Sequence, residues 1–141
     1  VIICDTGGLI AGYDERDPDG PAVRELLDAD AGSLIVSPFV LAEVDYMIMN
    51  RSGAAAELAL LEDLADGVYQ VAEFTQLDAE CVARLCRQYA DLQLGIADAH
   101  TMCLTGPDRY DTRRILTFDH RHFRAVKPPQ GGVFTLLPAD L

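Results

Sequence analysis

The sequence has a single lysine, Lys127, and no tryptophan. No apolar stretch approaches the roughly 20 residues that cross a bilayer. There is no GxGxxG or GxxxxGK[ST] loop, so nucleotide binding through those phosphate cradles is excluded. No CxxC and no Cys/His set with zinc-ligand spacing is present. The apolar opening Val1–Cys4 is too short for the core of a secretory leader and has no basic flank before it. These absences lead to the expectation of a cytoplasmic protein with no membrane association.

Cysteine is sparse as well. Four residues could form two disulfides, but Cys4, Cys81, Cys86 and Cys103 all fall at apolar positions of a strand-like run or of helices. Free cysteine behaves there as a small buried hydrophobe, so reduced core thiols are expected.

Positive charge is scarce: 11 Lys+Arg face 23 Asp+Glu, for a net charge of -12. The sum speaks against a nucleic-acid partner. The distribution is more informative, because Arg109, Arg113, Arg114, Arg121, Arg124 and Lys127 concentrate in one segment opposed only by Asp111 and Asp119. Such a segment reads either as a phosphate-contacting patch, with Arg109, Arg113, Arg114 and Arg121 as RNA-binding candidates, or as a solvated loop. The acidic remainder would suit a basic protein partner.

What is present is an ordinary globular composition. The 141 residues, half of them hydrophobic, suffice for one core and one domain over 1–141. Apolar runs at Val1–Cys4, Ser33–Ser37, Val68–Phe74, Ile115–Phe118 and Val133–Leu137 predict five short strands. Helices are predicted over Gly8–Tyr13, from Pro21 with Val23, Leu26 and Leu27 on one side, and over Pro38–Asn50 and Ala54–Ala65. Another follows Thr75 and Asp78, which match a capping box, and a shorter one covers Ala97–Leu104. Strands alternating with helices indicate an α/β fold with a largely parallel sheet. Reactive groups in such sheets lie beyond the carboxyl ends of the strands.

Two carboxylates sit there. Asp5 follows the first strand and Asp119 follows Ile115–Phe118. Either could simply cap a helix. Glu43 shares a helical face with Val40, Val44 and Met47, where an unpaired carboxylate is costly, so an ion pair with arginine or a shared cation is expected. Asp98 opens a helix rich in small residues, where favourable charge near a helix start is the plain alternative. Four gathered carboxylates repel one another, and a hard divalent cation such as Mg²⁺ removes that cost while favouring hydrolysis of a phosphate ester.

The runs Cys4-Asp5-Thr6, Ser37-Pro38 with Leu41-Ala42-Glu43-Val44, Leu94-Gly95-Ile96-Ala97-Asp98-Ala99, and Leu116-Thr117-Phe118-Asp119 with Phe123 resemble the successive motifs of PIN domains, VapC-type toxins in particular. The resemblance spans nearly the whole chain. It implies an α/β/α sandwich around a mostly parallel five-stranded sheet and Mg²⁺- or Mn²⁺-dependent endoribonuclease activity. By position it implies an acidic quartet of Asp5, Glu43, Asp98 and Asp119. Asp5 and Asp98 would be the principal metal ligands, with Glu43 and Asp119 supporting. Thr6 and Thr117 would supply hydroxyls to the carboxylates or to phosphate. It also implies a VapB-type antitoxin with a basic residue reaching the carboxylates, and a homodimer. Gly7-Gly8 departs from the small polar residue common at that point of the family.

His100 is expected on a helix surface or in packing. His120 and His122 flank Arg121 and read either as RNA contacts or as exposed side chains. A haloacid-dehalogenase phosphatase would need an acid where Gly7 stands and a well-placed lysine. A non-catalytic binding module and an RNA-processing nuclease remain as alternatives to a toxin.

Overall fold

A computed structural model describes residues 1–141. Five strands, β1 (Ile2–Cys4), β2 (Leu34–Val36), β3 (Tyr69–Val71), β4 (Arg114–Leu116) and β5 (Thr135–Leu137), form one sheet in the order β3-β2-β1-β4-β5. Every pairing is parallel. The helices are α1 (Thr6–Tyr13), α2 (Gly20–Ala29), α3 (Pro38–Ser52), α4 (Ala54–Ala65), α5 (Gln76–Gln88), α6 (Ile96–Leu104) and α7 (His120–Ala125), with a 3-10 turn at Ala90–Leu92.

The predicted strands are all present but shorter. The third was expected over Val68–Phe74. It lies at the sheet edge, where Gln70 and Val71 are exposed, and pairing ends as the Ala72 amide donates to the Val36 carbonyl. The helix expected from Gly8 begins two residues earlier, at Thr6. Ser37 caps α3 by accepting from the Phe39 amide, with Pro38 in the first turn. Thr75 and Asp78 form a reciprocal capping box on α5. Between α3 and α4, Gly53 adopts φ 86°, a left-handed conformation that permits the break without a Cβ penalty.

Burial divides by face. Ile2, Cys4, Leu34, Val36 and Leu116 pack with Leu9, Val23, Leu27, Val40, Val44, Ile48 and Leu60 from α1–α4. On the other side, Ile115 and Leu136 pack with Val82 of α5, Ala99 and Met102 of α6, Phe123 and Phe134. The result is the expected α/β/α sandwich, with both faces of a parallel sheet covered.

Of the two glycines after the Asp-Thr pair, packing requires Gly8 and not Gly7, which has nothing within 4 Å of its would-be Cβ. A Cβ on Gly8 would stand 2.6 Å from Leu116 Cγ and 2.7 Å from the Leu116 carbonyl oxygen. The glycine therefore lets α1 lie directly on the end of β4, and the Asp5 amide donates to the Leu116 carbonyl beside it at 2.9 Å.

The expectation of four free thiols is corrected. Cys81 and Cys103 form a disulfide that joins α5 to α6, with Cα atoms 6.2 Å apart. Both residues lie at apolar helical positions, as expected, but the packing of the two helices brings the sulfurs together across a sequence separation of 22. Cys4 and Cys86 remain free.

Candidate active site

β1 and β4 are neighbours in the sheet, so the residues that follow them meet at its carboxyl edge. Asp5 is 4% exposed. It precedes α1 but makes no side-chain cap to it, so capping does not account for this residue. Its Oδ2 instead accepts a hydrogen bond of 2.7 Å from Thr117 Oγ1. The same hydroxyl oxygen accepts from the Asp119 amide at 3.0 Å. One buried threonine thus ties the two strand-end aspartates together. Asp119 does cap its helix, because Oδ1 accepts from the His122 amide at 3.2 Å. That bond fixes the carboxylate, and its Oδ2 faces His122 Nδ1.

Asp98 lies in the first turn of α6, half-buried. The small Ala97 and Ala99 on either side are buried, which seats this turn close against the sheet. Asp98 Oδ2 stands 2.9 Å from His122 Nδ1, and Asp119 Oδ2 stands 3.0 Å from the same nitrogen. These three side chains offer ligand atoms within 4.8 Å of one another. His122 is a site residue that the sequence reading left undecided between RNA contact and plain exposure. The available signal was its i,i+3 spacing from Asp119, which places both side chains on one side of a helix start.

Glu43 differs from expectation. The buried line of α3 is Val40, Val44 and Ile48, and Glu43 flanks it in an exposed position. It pairs with no arginine. It accepts a 2.8 Å hydrogen bond from Thr6 Oγ1 at the start of α1. A helix of 3.6 residues per turn puts the residue before Val44 about 100° from it, which suffices to move Glu43 off the core face.

The carboxylates feel one another. Burial pushes the Asp5 carboxyl up to about 6; the Thr117 hydrogen bond opposes this, and the charges of Asp98 and Asp119 add to it. Asp98 is also raised, first by burial, then by Asp119 and Glu43, against the hydrogen bond from His122. No arginine or lysine forms an ion pair with Asp5, Glu43, Asp98 or Asp119. Oxygen donors gathered without a cationic partner, one of them buried, fit a hard divalent cation.

The basic segment is largely engaged elsewhere. Arg109 contacts Asp78 at 3.4 Å and the Glu73 carbonyl at 3.1 Å. Arg113 donates to the carbonyls of Gly131 and Gln130. Arg114 begins β4, at the end of the strand away from Asp119, and faces Asp30 at 3.9 Å. Arg121 is exposed on α7 between Asp119 and His122 and has no protein partner. His100 is fully buried, with Nδ1 2.7 Å from Ser37 Oγ and Nε2 3.7 Å from Asp78. Burial lowers its pKa, which favours the neutral ring.

Comparison with known proteins identifies the family. Ribonuclease VapC26 of Mycobacterium tuberculosis (strain ATCC 25618 / H37Rv) is 46% identical over 137 residues, covering 97% of this chain and 100% of that protein. The crystal structure of VapC20 of Mycobacterium tuberculosis, a Sarcin-Ricin loop cleaving toxin, superposes with a TM-score of 0.66 at 19% identity, covering 74% of this chain and 81% of that one. At that identity the match concerns the fold. The family model for the PIN domain matches residues 2–128, a span that contains all four carboxylates and both threonines. On fold and on sequence alike, this chain belongs to the PIN-domain family.

Proposed function

We propose that residues 1–141 act as one PIN domain, a Mg²⁺-dependent endoribonuclease (Mn²⁺ also serving) that hydrolyses RNA phosphodiester bonds. In the cell it would be a toxin held inactive by a VapB-type antitoxin. The observation that carries this reading is the buried Asp5, without counter-charge, tied through Thr117 to Asp119 and electrostatically coupled to Asp98, in a chain 46% identical to a ribonuclease.

Asp5 and Asp98 would be the principal ligands, with Glu43 and Asp119 supporting them and orienting water. A divalent cation held there supplies Lewis acidity, polarising a phosphoryl oxygen and acidifying water. The chain's own part is positioning. Thr117 holds the Asp5 carboxylate and anchors the Asp119 backbone amide, Thr6 holds Glu43, and the α7 cap holds the Asp119 carboxylate. Arg121 is the best placed of the basic candidates to meet an RNA phosphate. The exposed Glu43 and the net charge of -12 suit an antitoxin that brings a basic side chain to the carboxylates. No helix is long and apolar enough to cross a membrane; a cytoplasmic location and a homodimer are further parts of the proposal.

The test is cleavage of labelled total RNA by the purified protein with Mg²⁺, with chelator, and as Asp98→Asn. Discrete fragments that require the metal and vanish in the folded variant are expected. Intact RNA in every pool, with metal-loaded and antitoxin-free protein, would replace this reading with a non-catalytic binding module.

A further inference from the structure

His122 is the one nitrogen donor in a centre otherwise built of oxygens. Its ring lies mostly out of solvent, with a side-chain exposure of 19%. Nδ1 faces two carboxylate oxygens at nearly equal distance, 2.9 Å to Asp98 and 3.0 Å to Asp119. A ring nitrogen carries at most one proton, so a hydrogen bond serves one of these oxygens well and leaves the other poorly matched. A shared cation matches all three atoms at once. Around an octahedral ion with bonds of about 2.1 Å, adjacent ligand atoms stand about 3.0 Å apart. That is the spacing found on both sides of Nδ1.

The ring is also held in place. The His122 amide donates to Asp119 Oδ1, so the backbone that carries the imidazole is anchored to the carboxylate it faces. Phe123, the next residue, is 1% exposed and fixes the rotation of α7 in the core. Neighbouring His120 is exposed and has no such anchor.

We propose that His122 is a direct nitrogen ligand of the metal centre and tilts its selectivity from Mg²⁺ toward first-row transition cations, Mn²⁺ among them. This rests on the metal-dependent reading above. The chemistry is that of ligand softness. Mg²⁺ favours oxygen and dehydrates reluctantly, whereas imidazole is a good ligand for transition metals.

Mn²⁺ is its own probe. Bound Mn²⁺ would be examined by pulsed electron paramagnetic resonance for nitrogen modulation, and its affinity compared with that of Mg²⁺ by calorimetry. The wild-type protein, Asp98→Asn, His122→Ala and His120→Ala would be used, each checked for folding by circular dichroism. Nitrogen modulation is expected in the wild type and in His120→Ala and absent in His122→Ala. Mn²⁺ affinity should fall about tenfold or more in His122→Ala, and more than Mg²⁺ affinity does. Stoichiometric Mn²⁺ binding that Asp98→Asn abolishes, but with no nitrogen modulation or with modulation that survives His122→Ala, would overturn the ligand assignment and leave the metal reading standing. Failure of the folded wild type to bind Mn²⁺ or Mg²⁺ would instead remove the metal reading, and this inference with it.

Discussion

Asp5 carries a cost that the fold accepts at one atom. Its carboxyl is raised to about 6 from an ordinary 3.8, chiefly by burial. A raised folded-state pKa means that folding favours the protonated form more than the unfolded chain does. The stability this contributes is complete below the ordinary pKa and is lost as pH rises through about 6. The shift corresponds to about 3 kcal/mol at most. Metal-free Asp5→Asn should therefore be more stable than metal-free wild type near pH 7.5, by roughly 1–3 kcal/mol, and indistinguishable from it near pH 4. Denaturant titrations at the two pH values measure the gap. A constant gap would mean that Asp5 is not the titrating group. The same variant should cleave no RNA, so stability and activity move in opposite directions, as expected where a site stores unfavourable charge.

Thr117 offers a second residue-scale test. It is fully buried and serves two partners. Thr117→Val keeps the shape, removes the donor to Asp5 and orphans the Asp119 amide. It should destabilise by about 1–3 kcal/mol. It should also move the acid limb of the cleavage-against-pH profile to higher pH, because the hydrogen bond now lowers the Asp5 pKa. An unshifted limb would separate Thr117 from the ionisation of Asp5. Asp5 and Asp119 were legible in the sequence because each directly ends an apolar run. Glu43 was legible only by family likeness, since its supposed burial was wrong. His122 left only its i,i+3 spacing from Asp119 in the sequence, because its role depends on the six-residue α7 turning it back over the Asp119 cap.

Among the elements, α1 is the most sensitive, because it rests on β4 through a glycine. Gly8→Ala would drive a Cβ into the Leu116 carbonyl group and side chain. Overpacking of this kind costs about 1–3 kcal/mol. The neighbouring Gly7 has nothing within 4 Å of its would-be Cβ and lies in the same helix, so Gly7→Ala should stabilise by roughly 0.5–1 kcal/mol. Thermal denaturation of the pair should give shifts of opposite sign; equal signs would refute the close-approach argument. The α5–α6 pair is fastened differently. Its disulfide closes a loop over a separation of 22 residues. Two reactive thiols are expected in denatured, unreduced protein and four after reduction. Strand and helix order could be read from alternation of apolar runs and turn residues. The length of β3 could not, since nothing local marks it as an edge strand. The Cys81–Cys103 pairing was equally hidden, because it arises only when two separate helices dock.

For the molecule as a whole, net charge and local charge point to different partners. A chain at -12 repels RNA at long range, so binding depends on where its few arginines stand. The sequence groups Arg109, Arg113, Arg114 and Arg121, but the fold separates them. Arg113 is spent on the 130–131 turn and Arg114 faces Asp30, whereas Arg121 is free beside the carboxylates. Each phosphate contact contributes about one unit to the slope of log affinity against log salt. RNA binding would be measured with catalytically silent Asp98→Asn protein across a salt series, since cleavage would otherwise consume the ligand. Adding Arg121→Ala should weaken binding and lower that slope by about one. Adding Arg113→Ala should leave the slope unchanged and lower the melting temperature instead, through loss of the two carbonyl contacts. The reverse pattern would move the RNA track from the carboxyl edge of the sheet to the opposite end of β4, and the cut phosphate would then have to reach the carboxylates from that side.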